Sequence, residues 1–111
     1  MATHNLTRTN YYILLALSDR GRHGLGIAAE VERFTDGEIV LGPGLLYGSI
    51  KRLAEEGLIE EAEAGGCGGA DPRRRYYQLS AAGRAALQAE VSLQSRILAE
   101  ARAKKAAGES S

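Results

Sequence analysis

Apolar residues recur along this chain first at helical spacing, then at strand spacing, then at helical spacing again. From Thr7 to about Asp19, Tyr11, Tyr12, Leu14, Leu15 and Leu17 are apolar on more than one side, which predicts a buried or interface helix. Gly21 and Gly24 interrupt it. From about Leu25 to Phe34, Ile27, Val31 and Phe34 share a helix face with Glu30 and Arg33 outward, and Thr35-Asp36-Gly37 ends the run. Ile39-Val40-Leu41 reads as a short extended connector. Pro43 suits the first position of a third helix, where its missing N–H is no loss. That helix runs to Glu56 with Leu46, Ile50 and Leu53 on one face, and Gly57 is placed to cap it in the left-handed conformation. Leu58 to Glu63 and Arg74 to Leu79 read as strands joined by a loose loop, Gly65 to Asp71. Alternation in the second strand sets Tyr77 and Leu79 on the core face and Tyr76 and Gln78 on the other. Ser80 caps a last helix that runs to about Lys105.

Helices, a hairpin with a basic return leg, then a helix is the order of a winged helix-turn-helix. The predicted fold is therefore mainly α with a two-stranded β wing. Residues 1–6 form a polar, flexible arm, 7–79 the winged helix-turn-helix, 80–105 a dimerisation helix and 106–111 a disordered tail. No internal repeat is visible. On the last helix, Ala86, Leu87, Val91, Leu93, Ile97, Leu98 and Ala101 span an arc of about 160° at 100° per residue. That is wider than one small domain needs, and it points to a face shared with a second copy of the chain, to which Tyr11, Leu87, Val91, Leu93, Ile97 and Leu98 are assigned. Glu90 and Gln94 fall inside the arc, so the seam is not a simple coiled coil.

The 111 residues suffice for one domain with a modest core. Lys plus Arg equals Asp plus Glu at 14 each, so net charge argues for no polyanionic partner, and local distribution decides instead. Arg73, Arg74 and Arg75 stand together, while the acids gather at Glu55, Glu56, Glu60, Glu61 and Glu63. The single Cys67 excludes an internal disulfide, and with only His4 and His23 beside it no structural zinc site is expected, nor any other metal or cofactor. No apolar run approaches the roughly 18 residues of a membrane span, and the start lacks a signal-peptide pattern, so a cytoplasmic protein with no membrane partner is expected. Glu55-Glu56 and Glu60-Glu61 are sequence neighbours that point apart, and no nucleophile–base–acid set exists, so the chain does not read as an enzyme. His23, next to Gly24 at a helix start, reads as a capping or packing residue. Cys67, within Gly65-Gly66-Cys67-Gly68-Gly69, reads as an exposed thiol with little besides the arginines to lower its pKa.

The chemistry lies on the third helix and the wing. Opposite Leu46, Ile50 and Leu53 the helix presents Gly44, Gly48, Lys51 and Glu55, with Tyr47 and Arg52 on its flanks. Lys and Arg reach phosphates or guanine edges, a Tyr hydroxyl donates to a phosphate, and small residues let the helix approach a groove closely. A solvated helix face would look the same in isolation. The return strand that opens with Arg73, Arg74 and Arg75 changes the balance, since it can lay guanidinium groups along a phosphate backbone or into a minor groove.

The motifs YYILLAL from Tyr11, HGLGIAAEV from His23, GPGLLYGSIKRLAEEGLIEE from Gly42 and RRRYYQLSAAGRAAL from Arg73 resemble, in order and spacing, those of PadR-type transcriptional regulators. The resemblance covers roughly Tyr11 to Leu87. It implies a winged helix-turn-helix that represses transcription as a homodimer, with DNA contact by Tyr47 and the wing arginines and dimerisation through the last helix. The length matches the subgroup with a single C-terminal helix. Leu25 stands where relatives commonly carry Tyr, Gly42 replaces the usual Ser cap, and Leu45 and Gly48 sit where longer or polar side chains are common. The last two shift the expected specificity toward backbone positioning and DNA shape.

The resulting expectation is a homodimeric DNA-binding repressor. Two copies of the Pro43 helix enter successive major grooves roughly 34 Å apart, and a small-molecule effector changes their separation. Two alternatives remain: an interaction adaptor using the acidic Glu55 to Glu63 edge, and a multidrug sensor with a pocket at the dimer interface in which tyrosines, Tyr11, Tyr12 and Tyr47 among them, take the place of Trp and Phe.

Overall fold

Among the described residues, three of the four helices begin at a side chain that closes the first turn. In the computed structural model, which describes residues 6–63 and 73–105, α1 (Arg8–Ala16) is capped by Thr7, whose Oγ1 accepts the Asn10 N–H at 3.1 Å. The second helix, α2 (Gly24–Phe34), is capped by His23, whose Nδ1 accepts the Gly26 N–H at 3.1 Å. For α4 (Ala81–Ala103) the cap is Ser80, whose Oγ accepts the Gly83 N–H at 3.0 Å. Only α3 (Pro43–Glu55) starts without one: Gly42 has no side chain to offer, and Pro43 supplies the preset φ instead. Its far end closes as its sequence predicts. Gly57 takes a φ of +77°, the Leu58 N–H returns to the Leu53 carbonyl and the Gly57 N–H to that of Ala54, both at 3.0 Å.

The two-stranded wing is present, and among the described residues a third strand joins its sheet. β2 (Ile59–Ala62) pairs antiparallel with β3 (Tyr76–Leu79), Ile59 opposite Leu79 and Ala62 opposite Tyr76. On the other side of β3 lies β1 (Arg22–His23), with Arg22 opposite Tyr77 and His23 opposite Tyr76. This third strand corrects the expected facing of the return strand. Tyr76, expected outward, is buried, because the His23 ring stands edge-on to it at 5.3 Å. Tyr77 is half-buried, Leu79 is buried, and Gln78 faces out to donate to Glu60 at 2.9 Å.

One core joins these elements. Ile13 and Leu14 from α1 and Leu17 at its C-cap meet Ile27 and Val31 from α2, Leu46, Ile50 and Leu53 from α3, Leu58 just before β2, Ile59 and Leu79 from the sheet, and Leu87 from α4. Leu6, assigned to the flexible arm, packs against this core and so belongs to the domain. Leu87, assigned to the dimer face, is also corrected: it is 4% exposed within its own domain and anchors α4 there. The remainder of the arm, the Gly65 to Asp71 loop with Cys67, and the 106–111 tail lie outside the described residues.

Candidate nucleic-acid interface

The buried stripe of α3 fixes which side chains it turns outward. With Leu46, Ile50 and Leu53 in the core, Gly44, Tyr47, Gly48, Lys51 and Arg52 are all exposed. A Cβ built at Gly44 or Gly48 meets nothing within 4 Å, so packing does not require glycine at either position. Their effect is external: two positions on the outward face of the first two turns carry no side chain, with the exposed Leu45 and Tyr47 on the flanks. Tyr47 lies back across the start of α2. A Cβ on Gly24 would come within 2.6 to 2.8 Å of two of its ring carbons and its hydroxyl oxygen, so Gly24 makes room for the phenol. Sequence reasoning took Gly24 only as a helix breaker, since an approach between two helices leaves no local pattern.

The wing arginines reach the same surface. All three are exposed and lie just before β3, outside the ladder. Arg74 and Arg75 line a recess of about 210 Å³ together with His23, Gly24, Tyr47 and Tyr77. A larger groove of about 530 Å³ runs between α3 and the sheet, with Tyr47, Ile50, Lys51, Ala54 and Glu55 on one side and Glu61, Arg75 and Tyr77 on the other. Tyr47, Lys51, Arg74 and Arg75 are thus brought together, whereas Arg52 and Arg73 line neither recess. Two local contacts orient the arginines. An Arg74 Nη lies 3.4 Å from His23 Nδ1, and Arg75 Nε lies 3.8 Å from Glu61 Oε2. Since His23 Nδ1 accepts the Gly26 N–H, that nitrogen carries no proton in this arrangement. Glu61, read from sequence only as part of the acidic edge, places a carboxylate beside one of the cations that would meet phosphate.

The tyrosines do not form one pocket. Tyr11 and Tyr12 have ring centroids 6.0 Å apart and line a cleft of about 260 Å³ between the start of α1 and Glu90 and Gln94 of α4, whereas Tyr47 belongs to the α3 groove. Burial, with the Glu90 carboxylate and Tyr12 beside it, raises the Tyr11 pKa. Glu90 in turn accepts from the Gln94 amide at 2.8 Å, so the two polar residues inside the apolar arc of α4 pair with each other. Beyond Leu87, α4 leaves Val91, Leu93, Ile97 and Leu98 between 39% and 51% exposed. Among the described residues no helix is long and apolar enough to cross a membrane.

Comparison with known proteins gives this architecture its relatives. RosR of H. salinarum superposes with a TM-score of 0.65 at 25% identity, covering 96% of this chain and 98% of that one. A PadR family transcription regulator of Clostridium difficile gives 0.69 at 22% identity over 86% and 96%. Bacillus subtilis PadR, solved in complex with operator DNA, gives 0.63 at 20% identity over 77% of this chain and 47% of that one. In sequence, an uncharacterized 37.1 kDa protein in transposon TN4556 of Streptomyces fradiae is 35% identical over 85 residues. Those residues are 77% of this chain but only 22% of the Streptomyces protein. The model of the transcriptional regulator PadR-like family matches residues 13–89, and with the winged-helix architecture it establishes that this chain belongs to that family.

Proposed function

We propose that the chain binds double-stranded DNA in a sequence-specific way and represses transcription as a homodimer. The observation that carries this reading is the single surface shared by the glycine-bearing outer face of α3, Tyr47 and Lys51, and the wing residues Arg74 and Arg75. A helix whose outward face carries glycines can approach a major groove closely while flanking guanidinium groups grip the backbone. The operator complex of the Bacillus subtilis relative supports the same use of the fold. Dimerisation falls to the exposed apolar stripe of α4, with half-buried Tyr11 at its edge. An effector acts by changing the separation of the two α3 helices, a shift between DNA-competent and incompetent dimers. The cleft at Tyr11, Tyr12 and Glu90 borders the elements that such a shift would move.

The test is a fluorescence-anisotropy titration with DNA from upstream of the chain's own gene against a scrambled duplex, at two salt concentrations. Tighter, salt-sensitive binding to the native sequence is expected. Changing Arg73, Arg74 and Arg75 together to Ala should weaken binding and flatten its salt slope without unfolding the protein. Salt-insensitive binding or none, from a folded dimer, would replace this reading by the adaptor, whose supporting observation is the exposed acidic run at Glu55, Glu56, Glu60, Glu61 and Glu63.

A further inference from the structure

The outward residues of the first two turns of α3 carry an unusual chemistry for a base reader. Pro43, Gly44, Leu45 and Gly48 are exposed, and none has a side-chain hydrogen-bond donor or acceptor. The polar side chains nearby are engaged or displaced: Tyr47 lies back over Gly24, Ser49 is half-buried, and Lys51 and Arg52 come later along the helix. Leu45 is 54% exposed although it is a large aliphatic side chain beside the core residue Leu46. In the helix-turn-helix geometry it is the N-terminal residues of the recognition helix that meet base edges. The major-groove edge of a base pair offers one apolar mark, the 5-methyl group of thymine.

We propose that Leu45 is a specificity-determining residue that reads thymine methyl groups in the major groove. The inference rests on the DNA-binding reading above and gives that site a ligand chemistry. Gly44 and Gly48 contribute by carrying no side chain on the outward face beside Leu45, where an added Cβ would meet nothing, so the helix can sink until an aliphatic side chain meets the methyl. An operator half-site then contains one or two thymines whose methyl groups carry discrimination where no hydrogen bond is made. This differs from pure shape recognition, which is blind to the methyl as a contact.

The decisive experiment replaces that single group. Duplexes are selected from a random library with the wild-type protein, and each thymidine of the selected half-site is then changed in turn to deoxyuridine, which removes only the methyl. Affinity should fall about threefold to fivefold at one or two positions, the worth of one buried methyl. In Leu45→Ala the thymine-to-uracil ratio at those positions should drop to one, and circular dichroism confirms that the variant is folded. Sequence-specific binding indifferent to every such replacement would overturn the methyl reading and leave DNA binding standing. Discrimination that persists in Leu45→Ala would remove Leu45 from the role. Failure of the wild type to bind any duplex, scrambled ones at low salt included, would overturn the DNA reading itself.

Discussion

At Gly83, the third residue of α4, a Cβ would run into the carbonyl of Leu58, a backbone group that also accepts the Ser80 N–H at 3.1 Å. Alanine in a helix ordinarily gains up to about 1 kcal/mol over glycine. Here it has to push α4 off the sheet, and Gly83→Ala should cost about 2–3 kcal/mol instead, read as a lower urea midpoint with an unchanged slope. Gly24 is crowded too, but by the Tyr47 ring, which can swing away, so Gly24→Ala should move the ring more than it unfolds the protein. Charge at single residues is legible in the same way. Glu30 accepts from Arg33 at 2.9 and 2.7 Å and lies 3.8 Å from Arg22. The Arg33 hydrogen bonds, then the nearby guanidinium charges, hold its carboxyl below the usual value despite partial burial. A carboxyl depressed on folding stabilises above its unfolded pKa and loses that stabilisation as the pH falls through the folded value. Glu30→Gln should therefore be less stable than wild type at pH 7, and the gap should narrow as the pH drops through the carboxylate range near about 4. A gap independent of pH in paired urea titrations would show that the charge contributes nothing.

The elements differ in how far local sequence specifies them. For α3, Pro43, the i, i+4, i+7 spacing of Leu46, Ile50 and Leu53, and Gly57 all point to one helix, and the observed helix starts at Pro43 and is closed by Gly57 at positive φ. β1 was invisible, because Arg22-His23 is too short to show a period and its pairing is made with residues more than fifty positions away. Missing it misplaced Tyr76, whose burial depends on His23. Of the candidate site, the exposed face of α3 and the arginine triplet could be read directly; the seat of Tyr47 on Gly24 and the carboxylate beside Arg75 could not, being tertiary contacts. The wing offers its own test. Glu61 sits across from Tyr77 in the ladder with its carboxylate 3.8 Å from Arg75 Nε, both side chains well exposed. If that surface meets phosphate, Glu61 competes with DNA for the guanidinium. Glu61→Gln should then tighten binding to a scrambled duplex about threefold to tenfold at low salt, with the gain shrinking as salt screens it. No gain at low salt would place Arg75 away from the phosphates.

At the scale of the whole molecule, what needs explaining is the far half of α4. The helix has 23 residues, a length of about 35 Å at 1.5 Å per residue, yet its buried residues, Gly83 and Leu87, both lie in the first two turns. Beyond them every side chain from Val91 to Glu100 is exposed, Val91, Leu93, Ile97 and Leu98 among them. A helical segment of that length is marginal in water without a partner surface, and in the proposed homodimer a second copy of the chain would supply one with a matching stripe. The Glu90–Gln94 pair interrupts the stripe and, in such a dimer, would favour one alignment over sliding registers. The periodicity of α4 gave the stripe but not its division, since Leu87 and Val91 share a face while only Leu87 meets its own core. That division is testable with two variants that should fail differently. Leu87→Ala removes core packing and should destabilise the fold by about 2–4 kcal/mol. Val91→Glu combined with Leu98→Glu puts charge at exposed positions seven residues apart, so the winged domain should stay folded while sedimentation velocity shows monomers. Two reading heads on one dimer bind a two-half-site duplex with the benefit of linkage, so the monomer should lose about 10²-fold in affinity for it while its affinity for a single half-site changes little. A double variant that sediments as a dimer would move the interface elsewhere, and a monomer that keeps full affinity for the two-half-site duplex would show that dimerisation is not how this chain reads DNA.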